Sequence, residues 1–521
     1  MKRNGSSGDF LSGRYERLFL ALAFIIPLLW LCSVRFFGMP DGETANDAFY
    51  HVAMAQRGPS VFCAKKFPAL ELSVWRDTFA NKELLYHFVL CGLVNVQKFL
   101  GFPVHAPFHF PAVFFLILLI ASLLFVMKKT GVAPPLYLPM TMLALAVSPN
   151  VMFRMLMLRP HILSLILMLI LCGILSSGSF RLRLTSVCIL SLIYTWSYSN
   201  PQFIVIPVLC FALAGIPSDG WKKSLFFPLC SLVCVILGLL IHPQFPNSFI
   251  IWKVQSFNAL FGPLLAQGSS GYRTLMPPLE MMSPGVIWNR NNLPMYAFAY
   301  LNFLIFARLV YHLGWKKIPS YCYAFGALSL MFTFGTFMVL RTIEYAGPFT
   351  GVFGAIVWTM AMREKIFLPG TGKPERFGLV LTLTAFLLAG IAAAVNISYS
   401  GKITTPSDKL GSWMERNLPE KELVVNLSWG DFPVLFYSNR KQVFLWGMDP
   451  EFSIAADPKR TLRIESFLLR QQELTPRRFA HVTGARYAVV LAKREEFAEF
   501  LKDLGWRAVY EGEDGVVLKV D

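Results

Sequence analysis

No aspartate or glutamate occurs between Glu83 and Asp219, and Glu280 is the only acid between Asp219 and Glu344. These acid-poor stretches are filled by apolar runs. Several of the runs reach or approach the roughly 20 residues that a helix needs to cross a bilayer. Charged residues make up only 15% of the 521 positions and hydrophobic ones 55%, whereas soluble chains carry roughly a quarter charged residues. The chain therefore reads as a polytopic α-helical membrane protein, and a water-soluble globular fold is excluded for its first three quarters.

The runs place spans at about 18–34, 108–127, 136–152, 161–176, 184–199, 201–216, 224–241, 293–312, 319–340, 345–362 and 377–396, which makes about 11 spans. Lys2, Arg3, Arg14 and Arg17 precede the first run and put the N-terminus on the cytoplasmic side. With that start, Lys128/Lys129, Arg181/Arg183, Lys222/Lys223, Lys316/Lys317 and the Arg363–Arg376 cluster all fall on the cytoplasmic side. The first run is read as a span rather than a cleavable signal, because an acidic stretch and no small-residue cleavage site follows it. The run 85–101 breaks this parity if it crosses alone. It is read as a helix along the outer interface, with a count of 13 spans as the alternative. The expected organisation is a membrane domain over 1–399, with outer loops at 41–107 and 242–292, and an outer-face domain over 400–521.

The formal net charge is +17. Cytoplasmic loops account for much of it, so nucleic acid is not expected as a partner. None of the nine cysteines lies beyond Cys322, and no CxxC pair occurs. Neither a zinc site nor a disulfide framework is indicated.

One acidic stretch stands out. Asp41-Gly-Glu43-Thr-Ala-Asn46-Asp47-Ala-Phe-Tyr-His51 follows directly on the first span. Asn46 is placed to cap a helix starting at Asp47. Asp47 and His51 are then i and i+4, on one face of that helix, and the helix dipole favours Asp47 as the anion. This is a setting for a general base or a metal ligand; the competing reading is an acidic loop that only caps a helix. Basic residues at outer span ends also need a reason. For Arg341 that is an anionic ligand or a local pair with Glu344; for Arg154 and Arg159, an anionic ligand or lipid phosphates.

After residue 400 the charge rises and the apolar runs shorten to strand length. Strands are expected at 424–427, 442–446, 487–491 and 516–520, and helices at about 459–472, 475–483 and 494–504. That is a small soluble α/β domain. It has no glycine-rich phosphate loop, no HExxH and no GxSxG.

The layout resembles the GT-C superfamily of integral-membrane glycosyltransferases, which includes oligosaccharyltransferase catalytic subunits, protein O-mannosyltransferases and aminoarabinose transferases. The resemblance rests on Asp47-Ala-Phe-Tyr50-His51, Trp75-Arg-Asp77, Lys82-Glu83-Leu-Leu-Tyr-His87 and Arg159-Pro-His161. Ser428-Trp429-Gly-Asp431-Phe432 is loosely similar to the Trp-Trp-Asp-Tyr-Gly motif of oligosaccharyltransferases, with Gly430 and Pro433 where Trp and Gly would stand. The resemblance implies transfer of a sugar from a polyprenyl-phosphate carrier to an acceptor at the outer face of the inner (plasma) membrane. The C-terminal domain would then be periplasmic or on the equivalent outer side.

In that reading Asp47 orients or removes the acceptor's proton, with His51 and Glu83 beside it. Arg159, Arg341 and His161 hold the carrier phosphate, whose charge grows as it leaves. Asp41, Glu43, His87 and Glu280 are second choices, and His87 and His161 are alternatively interfacial histidines paired to backbone. Some relatives hold a divalent cation between the acids and the phosphate, with His51, Glu83 or Glu280 as its candidates here. The competing class is a lipid-linked sugar transporter or flippase. It predicts internal repeats and mid-membrane charge, and the chain shows neither clearly.

Overall fold

The computed structural model describes residues 7–39, 42–43, 46–102, 108–258, 274–276, 282, 285–366, 374–398, 404–471 and 475–519. Eight helices among them are long and apolar enough to cross a membrane: Tyr15–Gly38, His109–Lys129, Pro160–Ser177, Pro201–Asp219, Trp221–Leu240, Val286–Leu313, Ser320–Met338 and Gly378–Ser398. The chain is thus an integral membrane protein with a helical membrane region.

The other three expected spans differ from a simple crossing. The run 136–152 is broken rather than straight. Pro134–Ala146 and Pro149–Leu156 meet at 86°. Ser148 accepts the Val151 N–H at 3.3 Å and Pro149 opens the second helix, so a cap and a proline restart the helix in a new direction. The run 184–199 becomes Phe180–Thr195, only 16 residues long.

The run 345–362 becomes Ile343–Arg363, a 21-residue helix buried on nearly every face. Gly351 explains its position: a Cβ there would lie 2.5 Å from Ala144 Cβ. This helix approaches Tyr137–Ala146 at backbone distance, as small residues permit in membrane bundles.

Helix Leu84–Phe99 buries Leu84, Tyr86, His87, Leu90 and Val94 and exposes Phe88, Val96 and Phe99. At 1.5 Å per residue it spans about 24 Å, short of a hydrocarbon core of roughly 30 Å. It starts against the bundle, where Leu85 N–H donates to the Trp196 carbonyl at 2.7 Å.

The C-terminal region carries a five-stranded sheet in the order β2-β1-β3-β5-β4. The strands are β1 (Leu423–Asn426), β2 (Val443–Phe444), β3 (Tyr487–Leu491), β4 (Arg507–Gly512) and β5 (Gly515–Lys519). β1 runs parallel to β2 and β3; β5 is antiparallel to β3 and β4. Sequence patterning misses β4, whose pairing is irregular between Ala508 and Tyr510.

This sheet is stitched to the segment between the first membrane helix and helix Leu84–Phe99. Leu70 forms a bridge with Phe444, Glu71 and Leu72 donate to the Phe444 and Leu445 carbonyls, and Phe444 donates to Ala69. The exposed edge of β2 is thereby covered. Arg57, at the end of helix Asp47–Arg57, donates to the carbonyls of Phe436 and Asn439 and stacks over the Phe436 ring. The segment around Asp47 is clamped between the bundle and the sheet.

Candidate active site

A cavity of about 1010 Å³ lies where these parts meet. Its floor comes from the membrane region and the segment between the first membrane helix and helix Leu84–Phe99: Asp47, His51, Lys82, Glu83, Arg154, Arg159 and Arg341. Its roof comes from the sheet. Ser428–Gly430 follow β1, Met448 and Asp449 follow β2, and Arg494 follows β3. These strands are mutually parallel, so their carboxyl ends open on one side, where open α/β sheets bind ligands.

Asp47 opens its helix, as the spacing predicts, and Asp47 and His51 both line the cavity. Asn46 does not cap that helix. Its side chain is drawn off by the C-terminal region, donating to the Gly430 carbonyl at 2.7 Å and accepting from Thr404 at 2.5 Å. Asn46 therefore fixes the roof to the floor beside Asp47. The Asp47 carboxylate meets Arg159 at 2.6 Å, with side chains 28% and 8% exposed.

The histidines are ordered by a relay. Asn81 donates to the Phe62 carbonyl at 3.2 Å, so its oxygen is the acceptor for Glu83 N–H (3.2 Å) and for His87 Nδ1 (2.9 Å). His87 then carries its proton on Nδ1, and its Nε2 accepts from His51 Nδ1 at 2.9 Å. The remaining lone pair of His51 is on Nε2. Burial, and next the neighbouring His87, holds the His51 imidazole well below its ordinary pKa; burial and then Lys82 bring His87 down to about 3. Both rings are neutral near pH 7. His87 therefore sits behind His51 and lies outside the cavity lining, a positioning partner rather than a ligand contact.

Glu83 and Lys82 face the cavity side by side, Nζ to Oε1 at 3.8 Å. Burial raises the Glu83 carboxyl and lowers the Lys82 ammonium, and each partner opposes the other's shift. Arg341 also lines the cavity, 3.7 Å from Glu344 and 5.5 Å over the Tyr198 ring. Its local pair and its cavity position coexist.

Several expectations need correcting. Arg154 is 2% exposed and pairs with Glu344 at 3.3 Å, so it is not a surface anchor for lipid phosphates. His161 is buried and donates from Nε2 to the Arg154 carbonyl at 3.0 Å. It supports that turn from behind and does not line the cavity. Glu43 is sealed in a pair with Arg35 at 2.6 Å, which removes it as a base. Asp41 and Glu280 lie outside the described residues. In the Ser428–Phe432 motif, Trp429 and Gly430 face the cavity, whereas Asp431 is buried and holds Lys493 and Arg494 at 3.0 and 3.2 Å.

Among the described residues no three His, Cys, Asp or Glu side chains are grouped to hold a metal ion. Asn46 and Lys82 stand in the sequence only as a cap and as part of a motif, and nothing there marks Asp449 or Arg494 as site residues. Lys82 had a signal, its place next to Glu83 in a short motif. Asp449 had only the Asp-Pro of a helix start, and nothing local pointed it at the membrane region.

No family model and no curated protein sequence matches the chain. Its fold is similar to that of three solved structures. AglB, the oligosaccharyltransferase of Archaeoglobus fulgidus, in complex with an inhibitory peptide and a dolichol-phosphate, aligns with TM-score 0.59 at 10% identity, over 92% of this chain and 70% of that one. The apo form of the Archaeoglobus fulgidus oligosaccharyltransferase gives 0.60 at 11%, with the same coverage. ArnT from Cupriavidus metallidurans, bound to undecaprenyl phosphate, gives 0.55 at 11% over 99% of both chains. The chain has the fold of the GT-C integral-membrane glycosyltransferases.

Proposed function

We propose that this protein transfers a sugar from a polyprenyl-phosphate carrier to an acceptor held in the cavity. The observation that carries this reading is the meeting of Asp47 and Arg159 at 2.6 Å on the wall of a cavity that also holds His51, Glu83 and Arg341. One carboxylate that can take a proton and two arginines that can hold a phosphate are what such a transfer requires. The lipid phosphates bound to AglB and ArnT support the choice of carrier.

The carrier phosphate competes with Asp47 for Arg159 and recruits Arg341, through charge-assisted hydrogen bonds. Asp47, released from its partner, accepts the proton of the acceptor's O–H or N–H. The acceptor atom bonds to the sugar's anomeric carbon as the bond from that carbon to the phosphate oxygen breaks. The polyprenyl phosphate leaves with its new charge on Arg159 and Arg341. Neutral His51, held by His87 and Asn81, offers Nε2 as a hydrogen-bond acceptor, and Glu83 is the nearby second carboxylate.

The cavity is assigned to the outer (periplasmic) face, with the N-terminus cytoplasmic, on the parity of the basic loops. Reporter fusions at Lys373 and Gly401 are expected on opposite sides of the membrane; both on one side overturns the orientation. The transfer reading is tested by single-turnover assay of Asp47→Asn with donor affinity measured alongside.

A further inference from the structure

Asp449 enters the cavity from the sheet by an unusual route. Gly447 is pressed against Phe432, where an added Cβ would lie 2.3 Å from the ring. Met448 follows with φ +69°, in the left-handed region that costs a non-glycine residue energy. Asp449 N–H then closes a three-residue turn on the Gly447 carbonyl at 2.9 Å. The carboxylate caps the helix Pro450–Ala456 by accepting the Glu451 N–H at 3.0 Å. A cap alone does not explain the placement, because Asn, Ser and Thr cap as well as Asp and need no strained turn before them. The turn has the effect of aiming a carboxylate at the floor.

Lys82 lines the same cavity and lies within electrostatic reach of Asp449. The ammonium lies 5.3 Å over Phe452, on the helix that Asp449 caps, and 5.8 Å over Trp75. Trp75 and Phe452 pack at 4.7 Å between ring centres, so the segment before helix Leu84–Phe99 and the sheet build this corner together. Asp449 is also within electrostatic reach of Arg341 and Asp47. A carboxylate accepts hydrogen bonds and an ammonium donates them; a sugar hydroxyl does both.

We propose that Asp449 and Lys82 form a sugar-recognition corner that grips hydroxyls of the sugar carried on the donor phosphate. This rests on the transfer reading above. The donor's sugar is favoured because it is bonded directly to the phosphate that Arg341 is placed to hold, and Asp449 lies within reach of that arginine. The corner sets which sugar is accepted, and leaves the proton transfer to Asp47.

The test uses the full-length protein and two classes of probe: bare undecaprenyl phosphate, and a panel of undecaprenyl-phosphate hexoses and pentoses. Wild type is expected to bind at least one sugar-bearing lipid more tightly than the bare carrier. Asp449→Asn keeps a capping side chain and removes the charge. It is expected to lose about tenfold of that preference, the worth of one hydrogen bond to a charged group, with bare-carrier affinity unchanged. Asp449→Ser, also a cap, should behave the same way, so a folding defect in one variant leaves the other. Wild-type preference in both variants overturns the corner alone and leaves Asp47 and its arginines untouched. A wild-type protein without preference for any sugar-bearing lipid overturns the corner together with the donor reading.

Discussion

Two ion pairs of the same length stand where the first membrane helix ends. Arg35–Glu43 and Arg159–Asp47 both measure 2.6 Å, and their carboxylates are four residues apart in sequence. Around the first pair both side chains are fully buried, and Arg35 also donates to the carbonyls of Leu156 and Phe108. Around the second, Asp47 is 28% exposed on the wall of a large cavity. The same chemistry therefore serves two ends. A pair that is sealed from solvent and tied to backbone carbonyls is a clamp: it ties the end of the first helix to the bent pair and to the start of helix His109–Lys129. A pair that opens on a cavity can exchange partners, Arg159 for a phosphate and Asp47 for a proton donor. Accessibility separates the two, since Coulomb attraction at equal distance cannot.

The sharpest break in the comparison is Asp47→Asn. It preserves volume and removes the anion, and single-turnover transfer should fall by about two to four decades, the usual worth of general acid–base catalysis. Donor affinity should move much less, because Arg159 and Arg341 remain. Near-wild-type transfer would shift the base to Glu83. Glu43→Gln should show the opposite profile. Stranding Arg35 without its buried counter-charge costs about 3–5 kcal/mol of stability, to be read as a lower thermal unfolding midpoint in detergent. A fully stable Glu43→Gln protein that no longer transfers sugar would erase the distinction between clamp and site. The smallest effects are expected from Arg159→Ala and Arg341→Ala. Each should weaken donor binding by about one to two decades, from the loss of roughly 1.5–3 kcal/mol of charge-assisted contact, while the protein stays folded. Unchanged affinity in both variants would make the second pair as structural as the first.

Much of this molecule is legible in the order of its residues. Apolar runs set eight membrane-length helices, because hydrocarbon demands length and internally satisfied backbone from any segment that crosses it. The i, i+4 spacing puts Asp47 and His51 on one face, because helical periodicity is a local property. Short apolar runs at 487–491 and 516–520 mark strands that the sheet contains as β3 and β5. The right-angle bend at Ser148-Pro149 lies where Ser148-Pro149-Asn150 interrupts the apolar run, a local signal for a helix restart that does not specify the angle. The fate of each charge was not legible. Glu43 and Asp47, or Arg154 and Arg159, look alike in sequence, and a residue such as Asp449 reads only as a helix cap. Local sequence encodes dihedral preference and periodicity. Whether a charge is sealed, paired or turned into a cavity depends on which distant segment closes over it: Phe108 and Leu156 over Arg35, Arg159 beside Asp47, and β2 bringing Asp449 above Lys82. Those approaches join residues at least 73 positions apart, and only the folded chain brings them together.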